Sequence, residues 1–123
     1  ARIALILPSP AHGLRRMLDH AARQAGVKLS AEIEIDSYRN IKSLVAHSMG
    51  SSILPYHAVA QEAQAGEFII RHFAKPHLWR AAYLVHMNAR PMTRAGQAIA
   101  DLLRDTVRDL MADGSWVLDG LNH

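Results

Sequence analysis

Residues 3–14 read Ile-Ala-Leu-Ile-Leu-Pro-Ser-Pro-Ala-His-Gly-Leu, and they decide the fold because a short apolar run stops at a proline and leads into a helix signal. A continuous apolar run of this length, Ile3 to Leu7, is typical of a buried parallel strand. Ser9 offers an N-cap, and Pro10 suits the first helical position. Apolar residues then recur at helical spacing as far as Gly26, which ends the helix. The stretch therefore predicts a buried strand followed at once by an amphipathic helix.

The rest of the chain repeats this alternation of strand and helix signals. Lys28 to Ile35 alternates polar with apolar residues, and Asp36 or Ser37 can cap the helix that follows it and ends at Gly50. Further strands are predicted at residues 51–54, 68–73 and 79–87, and further helices at residues 56–64 and 94–113. This order predicts an α/β fold with a mostly parallel sheet and, because crossovers are right-handed, helices on both faces.

Length and composition limit the class of protein. The 123 residues suffice for one domain with its own core, and half of them are apolar while a fifth are charged. The net charge of +3 is small, and acidic residues are mixed among the arginines, which argues against a nucleic-acid-binding surface in this chain. The sequence has no cysteine, which excludes disulfides, and its first apolar run is too short to cross a membrane. A cytoplasmic location is therefore expected.

Three segments carry a family resemblance. The first is residues 5–16, Leu-Ile-Leu-Pro-Ser-Pro-Ala-His-Gly-Leu-Arg-Arg, and the second is residues 44–55, Leu-Val-Ala-His-Ser-Met-Gly-Ser-Ser-Ile-Leu-Pro. The third runs from residue 58 to the Arg-Ala-Ala-Tyr-Leu of residues 80–84. Together they resemble the effector-binding domain of LysR-type bacterial transcription regulators across nearly the whole chain. One position departs: Ser48 stands where the family pattern has a glycine, and a serine holds a left-handed turn at some energetic cost.

The resemblance implies an architecture and a role. Such domains contain two α/β subdomains, like a periplasmic binding protein, and a ligand binds in the cleft between them. Residues 1–80 would form the second subdomain, residues 81–114 the strand and C-terminal helix that return to the first, and residues 115–123 a loosely held tail. The DNA-binding domain is absent from this stretch, and the start at Ala1 fits either an excised fragment or loss of an initiator methionine.

The implied partners are a small polar or anionic effector and further copies of the same protein. DNA would be bound only through the absent helix-turn-helix domain, and no membrane partner is expected. The long last helix has an apolar stripe that would be uncovered without the first subdomain, so dimers or swapped forms are expected. The residues of this stripe are Leu102, Leu103, Val107 and Leu110.

The first candidate effector-binding site is the turn after the first strand. Ligands of open α/β sheets bind beyond the carboxyl ends of strands, and a helix start favours a carboxylate or phosphate. Ser9 and His12 can add side-chain hydrogen bonds. The alternative is that Ser9 merely caps the helix while His12 is solvated. The predicted site residues here are Pro8, Ser9, His12 and Gly13.

The second candidate is the loop that leads from the second helix into the third strand. Its serines can offer hydroxyl and backbone N–H groups to a polar effector, and the resemblance implies that this loop lines the cleft. The alternative is an ordinary turn whose serines satisfy local backbone groups. The predicted site residues here are Ser48, Gly50, Ser51 and Ser52.

The charged residues of the first helix and the eight histidines have alternative explanations. Arg15, Arg16, Asp19, His20 and Arg23 lie off the helix's apolar face, and the resemblance implies that this helix pairs with another protomer. A charged outer face is otherwise simply solvated. The histidines lack the spacing of a zinc motif, so no metal site is expected.

Three classes of function suit a fold of this kind. The first is a metabolite sensor, and the second is the solute-binding protein of a transport system with a similar fold. The missing export signal and the arginine-rich first helix disfavour the second. The third is an enzyme, which is not expected because the sequence has no Gly-x-Ser-x-Gly elbow, and no catalytic residue is assigned. Phosphate-loop and dinucleotide fingerprints are also missing, so no cofactor is expected.

Overall fold

The computed structural model describes residues 3–73 and 78–116, and the chain divides into two compact units, Ala1–His72 and Phe73–His123. The elements of the first unit are β1 (Ile6–Leu7), α1 (Gly13–Gln24), β2 (Ile33–Glu34), α2 (Tyr38–Ala46), a 3₁₀ turn (Tyr56–Ala58) and α3 (Ala60–Gln64). The second unit contains α4 (Arg94–Ala112). The predicted turn at residues 75–77 and the end of the predicted tail, residues 117–123, lie outside the described residues.

The sheet is parallel and has β1 at its centre. β1 pairs with β2, with Ile6 opposite Ile33 and Leu7 opposite Glu34. On its other side, Leu5 forms a parallel bridge with Ser51. After β1 the chain thus runs first to β2 on one side of β1 and then to Ser51 on the other side. Since parallel connections are right-handed, this reversal assigns α1 and α2 to opposite faces, and the predicted α/β class is confirmed.

The core of the first unit surrounds β1. Ile6 and Leu7 are 1% and 0% exposed. α1 contributes the buried Leu14 and Leu18, and α2, which packs against β1, contributes the fully buried Ile41. Each such side chain contributes about 2 kcal/mol of transfer free energy. The short central strand therefore organises both helices.

The helix caps test the sequence predictions directly. Thr93 caps α4 by accepting from the N–H of Gly96, as predicted, and of the two predicted alternatives for α2 it is Ser37 that caps the helix, by accepting from the N–H of Asn40. The predicted Ser9 cap of α1 is wrong. α1 begins three residues later, because the Ser9 carbonyl accepts from the His12 N–H in a preceding turn, and His12 becomes the N-cap.

Several predicted strands are shorter than expected or do not form. The strand predicted at residues 28–35 is reduced to β2, and that at residues 51–54 to the bridge at Ser51. Residues 68–73 and 79–87 form no strand. Their side chains are often exposed, with Tyr83 and Val85 both at 82%. The reason is that a strand forms only where a neighbour satisfies its backbone groups, whatever its own sequence favours.

The predicted helix at residues 56–64 is divided. It forms the 3₁₀ turn and α3, and the backbone of Val59 departs from helical geometry between them, with φ −128° and ψ 5°. In α4 the predicted end is confirmed, since Gly114 follows it with a φ of +77°. No helix within the described ranges is long and apolar enough to span a membrane.

The loop from α2 to Ser51 is shaped by two unusual positions. Ser48 adopts the left-handed conformation, with φ at +59°, as expected of a residue in a glycine position. Gly50 lies directly against the sheet, and a Cβ atom there would be 2.7 Å from the carbonyl oxygen of Ala4. That distance is shorter than side chains tolerate, so the absence of a side chain at residue 50 allows Ser51 to pair with β1.

Replacing Gly50 by alanine should therefore destabilise the fold by about 2–3 kcal/mol, because Ala4 or Ser51 must move to admit the methyl group. Urea unfolding followed by circular dichroism measures the loss. Gly26→Ala is the control: residue 26 also has a positive φ, of +68°, but no atom lies within 4 Å of its Cβ position, so only backbone strain of about 1 kcal/mol is expected. Equal losses in the two variants would contradict the steric argument.

Candidate functional site

The reversal of direction at β1 identifies the carboxyl edge of the sheet as the candidate site. In open parallel sheets a crevice forms where successive connections leave in opposite directions, outside the carboxyl ends of the two strands concerned. Here these are β1, which is followed by Pro8 and Ser9, and the segment that begins at Ser51. The turn after β1, which is the first candidate site of the sequence, therefore lies at this carboxyl edge, and its role as an effector site stays a prediction.

Ser9 is bound at this edge by Asp36, which follows β2. The backbone N–H of Ser9 donates to Oδ1 of Asp36 over 2.8 Å, and its hydroxyl donates to Oδ2 over 3.1 Å. The backbone hydrogen bond, followed by that of the hydroxyl, lowers the pKa of the Asp36 carboxyl below its ordinary value. The residues after two neighbouring strands are thus joined by a carboxylate that remains ionised at neutral pH.

His12 connects the beginnings of α1 and α2. Its Nδ1 accepts from the N–H of Leu14 over 3.1 Å, so the neutral ring carries its proton on Nε2. Its ring centroid lies 5.7 Å from that of Tyr38, the first residue of α2. His12 is half-buried rather than solvated. Gly13, predicted alongside it, is the exposed first residue of α1.

Arg15 lies beneath the same turn. Its Nη1 donates to the carbonyl oxygen of Pro8 over 3.0 Å and to Glu34 of β2 over 2.9 Å, while its Nε donates to Asp19 over 3.0 Å. Burial alone would lower the pKa of this guanidinium, but the hydrogen bonds with Glu34 and Asp19 outweigh burial and raise it. The Arg15 cation therefore links α1, β2 and the end of β1.

The prediction that Arg15 belongs to a charged outer face is wrong. The residue is buried, at 7% exposed, whereas Arg16, His20 and Arg23 are exposed. Helical spacing alone does not separate these residues, because the long arginine side chain reaches back over the turn to acceptors that only the folded sheet provides.

The second predicted cluster lies elsewhere along the sheet. Gly50 lies beside Ala4. Ala4 precedes Pro8 by four residues, which corresponds to about 13 Å along an extended chain. Ser48 precedes Gly50, so both residues lie toward the amino edge. Ser51 and Ser52 lie alongside β1, where the hydroxyl of Ser52 donates to the carbonyl oxygen of Ile6 over 2.6 Å. The structure therefore does not bring Ser48 and Gly50 together with Ser9 and His12.

A groove of about 590 Å³ runs along α2. One of its walls carries an ion pair between Lys42 and Glu62, and the hydrogen bond from Lys42 lowers the pKa of Glu62. Tyr38, which contacts His12, lines one end. The groove is lined by Tyr38, Arg39, Lys42, Ser43, Ala46, His57, Ala58, Glu62, Glu67 and Phe68.

Sequence reasoning missed Asp36 and Arg15 as members of the edge. The sequence predicts Asp36 only as a possible helix cap, although it follows the second predicted strand as Ser9 follows the first. The rule that selected Ser9, position beyond the carboxyl end of a parallel strand, selects Asp36 as well. Arg15 had no comparable signal, since its acceptors are set by the packing of α1 on the sheet.

The sequence matches known proteins over most of its length. Residues 1–108 match the family model described as LysR substrate binding domain. Over 108 residues the chain is 31% identical to YfeR of Shigella flexneri, an uncharacterized HTH-type transcriptional regulator, with 88% of this chain and 34% of the relative covered. Over 105 residues it is 28% identical to YfiE of Escherichia coli strain K12, also an uncharacterized HTH-type transcriptional regulator, with 85% and 33% covered.

The chain thus spans about a third of the length of the curated relatives it matches. No solved structure matches it.

Replacing Arg15 by methionine should destabilise the fold by about 2 kcal/mol, because Pro8 loses a buried donor and two carboxylates lose their cation. The figure is at the low end for a buried pair because Asp19 and Glu34 are 27% and 46% exposed. Arg16→Met, which removes the same charge from an exposed position next to it, should change stability by less than about 0.5 kcal/mol. Thermal unfolding of the two variants makes the comparison, and similar losses would contradict the role given to Arg15.

Proposed function

This chain belongs to the family of LysR substrate binding domains, and we propose that it forms one wall of the effector-binding crevice of a bacterial transcription regulator. A small polar metabolite would bind at the carboxyl edge of the sheet and change how the regulator acts on DNA. Both relatives are HTH-type transcriptional regulators, which supports this role over that of a solute-binding protein of a transport system. A sensor in this setting is cytoplasmic and acts by binding rather than by catalysis.

The proposal rests on the position of β1 between two parallel neighbours, β2 on one side and Ser51 on the other. The connection from β1 to β2 and the connection from β2 to Ser51 therefore run in opposite directions across the sheet. That arrangement forms a crevice at the carboxyl ends without any special loop. Ser9, His12 and Asp36 lie at or beside this edge, and their hydrogen bonds hold the turn in one conformation. We assign Pro8, Ser9, His12 and Gly13 to the effector wall, while Ser48, Gly50, Ser51 and Ser52 would act mainly by forming the edge of the sheet.

The opposite wall would come from the part of a longer regulator that has no counterpart in this chain. Residues 81–87 have an aliphatic and aromatic sequence typical of a strand, yet no hydrogen bond joins their backbone to that of another described residue. Several of their side chains are exposed, including those of Tyr83, Leu84 and Val85. We infer that this segment and α4 complete a first subdomain, as the division at residue 80 predicts.

Regulation requires that the effector bind two arrangements of the subdomains with different affinities, because a ligand with equal affinity shifts no equilibrium. In the intact regulator, DNA would be bound by a separate domain. Self-association would allow the sensor to alter the spacing of two DNA-binding units. The exposed apolar side chains of α4, with Ile99 and Leu102 at 60% and 66%, support association of this chain.

This chain alone should bind effector weakly or not at all, because an effector held by one wall stays largely solvated. A chain extended to include the first subdomain should bind it at least about tenfold more tightly, which corresponds to about 1.4 kcal/mol. Isothermal titration calorimetry would use a metabolite first shown to bind the full-length regulator. Equal affinity in the two chains would show that the second wall is unnecessary and would refute the two-walled crevice.

The chain should also associate at high concentration through α4. Leu102→Glu should shift sedimentation equilibrium toward the monomer, because a carboxylate at the apolar stripe resists burial. Gln97→Glu adds the same charge to α4 at an exposed position away from Leu102 and should leave association unchanged. A wild-type chain that remains monomeric at millimolar concentration would contradict the expectation.

A further inference from the structure

The groove along α2 is lined by two segments of the chain that carry opposite charges. α2 contributes Arg39 and Lys42, which are three positions apart and therefore lie on one face of the helix. The second segment contributes Glu62 of α3 and Glu67. Glu67 lies close to α3, because its N–H donates to the carbonyl oxygen of Glu62 over 2.9 Å. The α2 segment is thus cationic, and the second segment is anionic.

Two of these four charges are paired, and two are available to a ligand. Lys42 donates to Glu62, and their side chains are only 25% and 22% exposed. Arg39 and Glu67 are both exposed. Within residues 3–73 and 78–116, neither of them forms an ion pair or a side-chain hydrogen bond. The groove therefore offers one guanidinium and one carboxylate to a molecule bound in it.

We propose that the groove along α2 binds a small zwitterion, such as an amino acid, whose carboxylate pairs with Arg39 and whose ammonium group pairs with Glu67. The groove is separate from the proposed effector crevice, since Ser9 and Asp36 at the carboxyl edge do not line it. Binding in the groove goes beyond the proposed function and does not require the second wall of the crevice.

The size and the surface of the groove suit a ligand of this kind. Its volume of about 590 Å³ lies within the range of roughly 300–1,000 Å³ that is usual for small-molecule sites. Ala46, Ala58 and Phe68 provide apolar surface for the carbon chain that joins the two charged groups. Tyr38 and Ser43 carry hydroxyl groups that can donate to the carboxylate of the ligand.

A ligand with a single charge suits the groove less well. An anion that pairs with Arg39 lies in a groove that also contains two carboxylates, those of Glu62 and Glu67. A cation that pairs with Glu67 shares the groove with Arg39 and Lys42. Because neighbouring like charges disfavour binding, each of these ligands gains one attraction and meets a repulsion. A zwitterion instead gains an attraction at each end.

The test compares three probes of equal chain length on the 123-residue chain, namely 6-aminohexanoate, hexanoate and hexylammonium. The flexible chain of 6-aminohexanoate allows its two charges to adopt the separation that Arg39 and Glu67 require. NMR titration follows the backbone amides of Arg39, Ser43 and Glu67. We expect saturable shifts with 6-aminohexanoate and an affinity about three- to fivefold higher than that of either singly charged probe, since each exposed ion pair contributes modestly.

Neutral substitutions test each of the two charges separately. Arg39→Gln and Glu67→Gln each remove one ion pair with the ligand, so each should weaken the binding of 6-aminohexanoate about three- to fivefold. Arg16→Gln and Asp109→Asn are the matched controls. They remove the same charges from exposed positions outside the groove and should leave the affinity unchanged.

Exchange of the two charges separates contact with the ligand from a general effect on the structure. Arg39→Glu should weaken the binding of 6-aminohexanoate more than Arg39→Gln does, because it adds a like charge. Combining Arg39→Glu with Glu67→Arg restores a cation and a carboxylate, so most of the lost affinity should return with the ligand reversed. The proposal is overturned if 6-aminohexanoate binds no more tightly than the singly charged probes, if both glutamine variants bind as the wild-type chain does, or if the exchanged pair fails to recover affinity.

Discussion

The parallel pairing of β1 on both of its edges is the constraint on which the first unit depends. Three consecutive residues, Leu5 to Leu7, meet Ser51 on one side and β2 on the other, and Ile6 and Leu7 are buried. A strand with two neighbours and two covered faces must be apolar throughout, which explains the continuous run in the sequence. The same pairing requires Gly50, since any side chain there would collide with the backbone beside β1.

The carboxyl edge follows from this pairing. Once β1 and β2 are aligned, the residues that follow them are neighbours, and Asp36 can reach Ser9 although 27 positions separate them. Arg15 then binds the end of β1 and the end of β2 together from below. The carboxyl edge is therefore a hydrogen-bonded network that includes the charged side chains of Asp36 and Arg15. If this edge forms the proposed effector wall, its preorganisation would limit the entropy lost when an effector binds.

In the second unit, segments whose sequences favour a strand or a packed helix face leave many apolar side chains exposed. Residues 79–87 have the composition of a strand, and α4 has a continuous apolar stripe, yet many of these side chains are exposed. β-propensity measures how well a residue suits a half-buried pleated surface, so it has no effect where no neighbouring strand is present. The curated relatives are about three times as long as the region that aligns with this chain.

The sequence by itself determined the α/β class, the first strand, the cap of α4 at Thr93 and the end of α4 at Gly114, as well as the family, and it limited the cap of α2 to Asp36 or Ser37. Each of these structural features depends on residues within a few positions of one another, so local patterns suffice to predict it. Only the tertiary structure decided that His12 rather than Ser9 caps α1, that Arg15 is buried, and that Ser48 and Gly50 lie away from Ser9. Those outcomes depend on how distant segments align across the sheet, and alignment is set by the packing of the whole core rather than by any one stretch of the chain.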